Sequence, residues 1–151
     1  MSKSNAAAAD RGGLMPGSRS MSPEATRPYL GRRALVVETD PDTRRLAQEV
    51  LESMGFIVDV ADNGVEAVST ARVALPELIL LDLQLRDDSG LEVLRWLRAN
   101  AAVKLASVIA ISTSRDDLPD VHDARISVVL KKPLSAHRLS QAVDAAMKAA
   151  S

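Results

Sequence analysis

Pro76-Glu77-Leu78-Ile79-Leu80-Leu81-Asp82-Leu83 holds a run of four consecutive apolar residues that ends on a carboxylate. A strand with one wet face alternates apolar and polar residues. A run apolar at both alternating positions suits a strand buried on both faces, as in a parallel sheet. Similar runs lie on either side of it. Ala34-Leu35-Val36-Val37 and Phe56-Ile57-Val58-Asp59-Val60 precede it, and Val108-Ile109-Ala110-Ile111 and Val128-Val129-Leu130 follow. Between the runs the apolar period changes to that of helices. Leu46, Val50, Leu51 and Met54 form one stripe, opened by Asp40-Pro41 as cap and first position and closed by Gly55. Val65, Val68 and Ala71 follow Asn63-Gly64 and stop before Pro76. Leu91, Leu94 and Leu97 follow Ser89-Gly90, and Leu139, Ala142, Val143, Ala146 and Met147 follow Ser135. The stretch Arg115 to Arg125 is weaker. It contains Pro119, and its clear apolar positions are Leu118 and Val121, so a helix there is short or broken.

Strands alternating with helices give right-handed βαβ units with helices on both faces of the sheet. The predicted fold is an α/β, flavodoxin-like, doubly wound sheet of five parallel strands in the order 2-1-3-4-5. The chain has 151 residues, 46% of them hydrophobic and 26% charged, with a net charge of -1. That balance supports one soluble domain and argues against a nucleic-acid binder that works through whole-surface charge. With no cysteine, disulfides, thiolate metal sites and cysteine nucleophiles are excluded. Aromatic residues make up 2% (Tyr29, Phe56 and Trp96), too few for base stacking or a flavin sandwich. No apolar run has membrane-spanning length. Residues 1–30 carry isolated apolar side chains, five serines and a local charge of +2. They are predicted to form a disordered tail, with the folded domain spanning 31–151.

In a sheet of this kind a site forms beyond the carboxyl ends of the strands, where the strand order reverses. Those positions hold Glu38-Thr39-Asp40, Asp82, Ser112 and Lys131-Lys132-Pro133. Singly, each has an ordinary reading as a cap, a strand end or a turn. Together they bring carboxylates, a hydroxyl and an ammonium to one edge. That set suits phosphoryl transfer to a carboxylate, with a hard cation and hydrogen-bond donors around the incoming anion. His122 and His137 have no partner at metal spacing and read as surface residues. Arg32-Arg33 and Arg44-Arg45 read as a solvated face.

The arrangement resembles the receiver domain of bacterial two-component response regulators, over about residues 32–149. The resemblance rests on Pro76 to Leu83, on Ser89-Gly90-Leu91-Glu92-Val93-Leu94, on Asn63-Gly64-Val65-Glu66-Ala67 and on Lys132-Pro133. It implies that Asp82 is the phosphoacceptor, that Lys132 contacts the phosphoryl group, and that Ser112 is the hydroxyl that moves to bind it. It also implies Mg²⁺ held by Glu38, Asp82 and the backbone carbonyl of Gln84, with Thr39 at the second acidic position. Implied partners are a sensor histidine kinase or phosphotransfer protein and a downstream protein. Nucleic acid and membrane are not among them, and the implied location is cytoplasmic. The alanine-rich last helix suits packing against a second copy of the chain, although helix propensity explains it as well.

Three departures from the family pattern stand out. Thr39 replaces a carboxylate with a neutral, poorer ligand, which predicts a weakened Mg²⁺ site. Arg86-Asp87-Asp88 replaces the usual proline-bearing loop after Asp82. Val129 occupies the place of the aromatic ring whose inward swing signals phosphorylation on the face built by the last strand and its flanking helices. The chain therefore reads as a stand-alone receiver that signals by binding other proteins and is not an enzyme. The alternative is a degenerate receiver whose interactions do not depend on phosphate. A flavodoxin is disfavoured, because Glu38 to Pro41 is acidic and lacks the glycine of a phosphate-binding loop.

Overall fold

The computed structural model describes residues 27–85, 90–113 and 125–150. Its elements run β1 (Arg33–Val37), α1 (Pro41–Ser53), β2 (Ile57–Ala61), α2 (Gly64–Ala74), β3 (Leu78–Asp82), α3 (Gly90–Ala99), β4 (Ser107–Ser112), β5 (Val128–Lys131) and α4 (Ala136–Ala150). The strands are all parallel in the order β2-β1-β3-β4-β5. This is the predicted flavodoxin-like sheet, and β1 and β3 flank the point where the order reverses.

The two-sided burial read from the apolar runs holds for the inner strands. Leu78, Ile79, Leu80 and Leu81 are all fully buried. Leu78 and Leu80 face a core with Leu51 of α1 and Leu139 and Val143 of α4. Ile79 and Leu81 face a second core with Ala67 and Ala71 of α2 and Leu94 and Leu97 of α3. The edge strands differ. Ile57 is 47% and Val60 37% exposed on β2, and Val128, Val129 and Leu130 on β5 are half-buried. An edge strand has a neighbour on one side only, so apolar composition does not translate into burial there.

Helix boundaries follow the local chemistry. Asp40 Oδ2 accepts from Thr43 N at 2.9 Å with Pro41 at the first position, and Gly55 takes φ 105° past the end of α1. Asn63 Oδ1 accepts from Glu66 N at 2.8 Å, while Glu66 Oε1 accepts from Asp62 N at 2.9 Å, a reciprocal cap. Leu75 ends α2 in the left-handed region just before Pro76. Ser135 Oγ accepts from Arg138 N at 3.2 Å at the start of α4.

The predicted tail is corrected at its end. Residues 27–31 form a turn on the base of the sheet, and Tyr29 enters the core at 8% exposure. Its ring stacks on Phe56 with centroids 5.0 Å apart. Phe56 itself precedes β2 instead of starting it. Tyr29 N donates to Met54 O and Gly31 N to Gly55 O, each at 3.0 Å. A Cβ on Gly55 would lie 2.6 Å from Leu30 N, so the turn packs where only glycine leaves room. No periodic neighbour marks Tyr29 in the sequence, and its contacts to Phe56 and Asp144 are distant along the chain.

Arg98 of α3 staples the far end of the sheet. Its Nη1 donates to Lys104 O at 2.8 Å and to Ala106 O at 2.7 Å, and its Nη2 donates to Arg125 O at 2.7 Å. Trp96 is half-buried, with the Arg72 guanidinium 6.0 Å from its ring centroid, and serves packing. His137 is exposed. Readings placed on Arg86 to Ser89, Leu118, Pro119, Val121 and His122 lie outside the described residues.

Candidate functional site

Strand ends deliver the site. Asp82 is the last residue of β3, Ser112 the last of β4, Glu38 follows β1, and Lys132 follows β5. Backbone bonds fix their relative heights. Glu38 N donates to Ala61 O at 3.0 Å, Lys132 N to Ser112 O at 3.0 Å, and Leu83 N to Ile111 O at 2.9 Å. The Lys132-Pro133 bond is cis.

Glu38, Asp82 and Ser112 are 1%, 2% and 2% exposed, so two carboxylates are buried at the sheet edge. Lys132 bridges them. Its Nζ donates to Asp82 Oδ2 at 3.2 Å and to Glu38 Oε2 at 3.1 Å. The ammonium also lies 2.9 Å from Glu38 Oε1. That second approach is a charge contact without hydrogen-bond alignment, which leaves Oε1 buried and without a directed donor. Burial and then the nearby Asp82 carboxylate push Glu38 above the usual carboxylate range, against the Asp40 amide and Lys132, which pull it down. For Lys132, burial pulls the ammonium down. The hydrogen bond and charge of Glu38, then those of Asp82, outweigh it and hold Lys132 above its usual value. Two buried carboxylates against one ammonium leave the cluster an excess negative charge.

The other predicted residues divide. Gln84 N donates to Asp82 Oδ1 at 2.9 Å, which folds the following loop back over the carboxylate. The Gln84 side chain reaches across to β4, where its Oε1 accepts from Thr113 Oγ1 and, at 3.4 Å, from Thr113 N. Thr39 Oγ1 donates to Asp62 O at 3.1 Å. Asp40 is held by its capping bonds to Thr43 N and Oγ1, so it does not move in to replace the missing carboxylate. Among the described residues, no three His, Cys, Asp or Glu side chains gather as a metal-binding group.

The residues present still fit a hard divalent cation. A buried carboxylate oxygen without a directed donor stands near a second buried carboxylate, and Mg²⁺ is commonly held by one or two carboxylates with the remaining positions filled by water.

Two contributors escaped the sequence reading. Arg44, expected on a solvated face, donates from Nη1 to Glu38 O at 3.0 Å and Thr39 O at 3.3 Å and pins the loop after β1. Helical spacing alone does not separate such a residue from an exposed arginine. Gly90 was read as a helix start. A Cβ there would lie 2.4 Å from Asp82 O and 2.6 Å from Leu83 Cα, so α3 begins pressed against the backbone at the end of β3. Gly90 N donates to Leu83 O at 3.1 Å and ties that contact.

Comparison with known proteins agrees with this arrangement. The family model "Response regulator receiver domain" matches residues 34–144. The polar-differentiation response regulator DivK of Brucella anthropi is 29% identical over 116 residues, covering 76% of this chain and 94% of that one. The signal receiver domain of a LuxO repressor protein from Vibrio parahaemolyticus is similar in structure, with a TM-score of 0.71 and 29% identity over 80% of this chain and 93% of that one. The Mn²⁺-bound form of response regulator Rcp1 is similar at a TM-score of 0.62 and 28% identity, over 74% of this chain and 88% of that one. With the sheet order, the edge cluster and a family match running from β1 into α4, the chain belongs to the response regulator receiver domains of two-component signalling.

Proposed function

We propose that this receiver accepts a phosphoryl group on Asp82 and signals by binding other proteins. The observation that carries the reading is the buried Asp82 carboxylate held by Lys132 beside Glu38. The donor is a phosphohistidine on a sensor kinase or phosphotransfer protein. An Asp82 oxygen attacks phosphorus, a new O–P bond forms, and the donor nitrogen leaves with the electron pair of the broken bond. Lys132 keeps the attacking carboxylate oriented and meets the negative charge that arrives. Ser112, at the end of the neighbouring strand, supplies a hydroxyl donor to the new oxygens. Glu38, Asp82 and the Gln84 carbonyl would hold Mg²⁺, which supplies positive charge to the transferring group. Thr39 contributes no carboxylate, and the cation site is weaker for it.

The downstream partner is a protein, and the partners put the site of action in the cytoplasm. Among the described residues no helix is long and apolar enough to cross a membrane. Intact mass after incubation with a small acyl phosphate, with and without Mg²⁺ and alongside Asp82→Asn, tests the reading. One Mg²⁺-dependent phosphate adduct, absent from the variant, is expected. A folded protein that takes no adduct at any donor concentration overturns it. A second reading, an interaction module indifferent to phosphate, draws on Thr39 and on the ringless Val129, and that result would favour it.

A further inference from the structure

We propose that Gln84 is a positioning residue that clasps the end of β4 in the unmodified protein, and that release of this clasp is how a phosphoryl group on Asp82 is felt at the surface. The inference rests on the proposed phosphorylation of Asp82. Gln84 bonds in two directions. Its backbone N–H donates to Asp82 Oδ1 at 2.9 Å, and its side-chain Oε1 accepts both Thr113 Oγ1 and Thr113 N. One residue therefore ties the acceptor carboxylate to the residue that follows Ser112.

Chemistry sets up a competition. An anionic group added to Asp82 draws N–H and O–H donors toward it. Asp82 pairs in register with Ile111, so the donors next along the chain are those of Ser112 and Thr113. The two donors of Thr113 are engaged by the Gln84 amide oxygen. For Thr113 to move toward the new anion, the Gln84 contact has to break.

Position gives the clasp its role. Gln84 and Thr113 are both exposed, whereas Ser112 and Asp82 are buried. The rearrangement would thus appear directly on the surface, without a ring swinging at position 129, where the side chain is a half-buried valine. A contact present in only one of two states biases the equilibrium by its own free energy. The bias here is that of an exposed hydrogen-bonded pair, small but sufficient to tune switching.

The test uses beryllofluoride, a phosphoryl mimic, with Mg²⁺ on the full chain, and reads apparent affinity together with the amide NMR signal of Thr113. Gln84→Ala and Thr113→Val each should tighten beryllofluoride binding by roughly two- to fivefold, the range one exposed hydrogen bond supplies. The double variant should gain no more than Gln84→Ala alone, because Thr113→Val removes only the hydroxyl part of a contact that Gln84→Ala removes whole. Thr113→Ser keeps the hydroxyl and should behave as the parent does. The Thr113 amide of Gln84→Ala should already lie partway to its bound position before any mimic is added. Unchanged affinity and an unmoved amide, in a protein whose parent binds the mimic, overturn the clasp alone. A parent that binds no mimic overturns the phosphoacceptor reading and the clasp with it.

Discussion

Tyr29 Oη donates to Asp144 Oδ1 at 2.7 Å, joining the first turn described to the last helix across 115 positions of chain. The same ring stacks on Phe56, so α4, the turn after α1 and the N-terminal turn meet at one aromatic side chain. Burial, then the hydrogen bond and charge of Asp144, push the Tyr29 phenol up from its ordinary 10 to about 12.

That shift gives an alkaline limb to stability. A phenol that ionises later in the folded than in the unfolded chain stabilises the fold below pH 10. The contribution fades as pH rises from 10 to about 12, where the unfolded chain holds fewer protons. Tyr29→Phe should lower stability at pH 8 by about 1 kcal/mol through the lost hydrogen bond. It should also fall less steeply than the parent toward pH 12. Urea midpoints at pH 8 and 11 check both, and parallel declines in the two proteins would exclude this role.

Removing different members of the buried charge cluster should have opposite consequences. Lys132→Met leaves Glu38 and Asp82 facing each other without a cation and should cost about 3 kcal/mol, the scale of a broken buried pair. Asp82→Asn leaves Glu38 and Lys132 as a matched pair and should change stability by less than about 1 kcal/mol in either direction. Thermal unfolding without divalent cations makes the comparison. A larger loss from Asp82→Asn would mean that the cluster is not charge-frustrated.

Restoring a carboxylate at position 39 should strengthen the cation site. An added charge a few ångströms from Mg²⁺ contributes more than about 1.4 kcal/mol at an effective dielectric near 20, so Thr39→Asp should bind Mg²⁺ at least about tenfold more tightly. Without cation the same variant should be less stable, since a further negative charge joins a cluster already in excess and the bond to Asp62 O is lost. Calorimetric titration with Mg²⁺ reads the first effect. Equal affinities would show that Thr39 is not the weak point.

Gly90 should resist even alanine. A methyl group there meets Asp82 O and Leu83 Cα, backbone atoms that cannot swing aside. Gly90→Ala should destabilise by about 2 kcal/mol, despite the helix propensity that alanine adds. It should also slow adduct formation on Asp82. Stability equal to the parent's would mean that the end of β3 yields easily.

The sequence could be read where one segment's own pattern decides its surroundings. Leu78 to Leu81 announced a doubly buried strand because both faces are covered, and Asp40 and Asn63 announced helix starts because a cap acts within three residues. Ile57 and Val60 gave a strand but not their exposure, which depends on having no neighbour beyond β2. Glu38, Asp82, Ser112 and Lys132 could be gathered because strand ends in such a sheet converge. Tyr29, Arg44 and the Gln84–Thr113 contact stayed hidden. Each acts through a partner chosen by tertiary structure, and a lone aromatic, an arginine or an amide carries no local period to betray it.

The connection between β4 and β5 leaves at Thr113 and returns at Arg125, and at each point a side chain from the β3–α3 half takes hold of it. Gln84 grips the first and Arg98 the second. Two residues that flank the connection are thus each held by a side chain from another part of the chain. The two grips are independent of each other, so loss of the Gln84 side chain should loosen Thr113 and leave Arg125 in place, and loss of the Arg98 guanidinium should do the reverse.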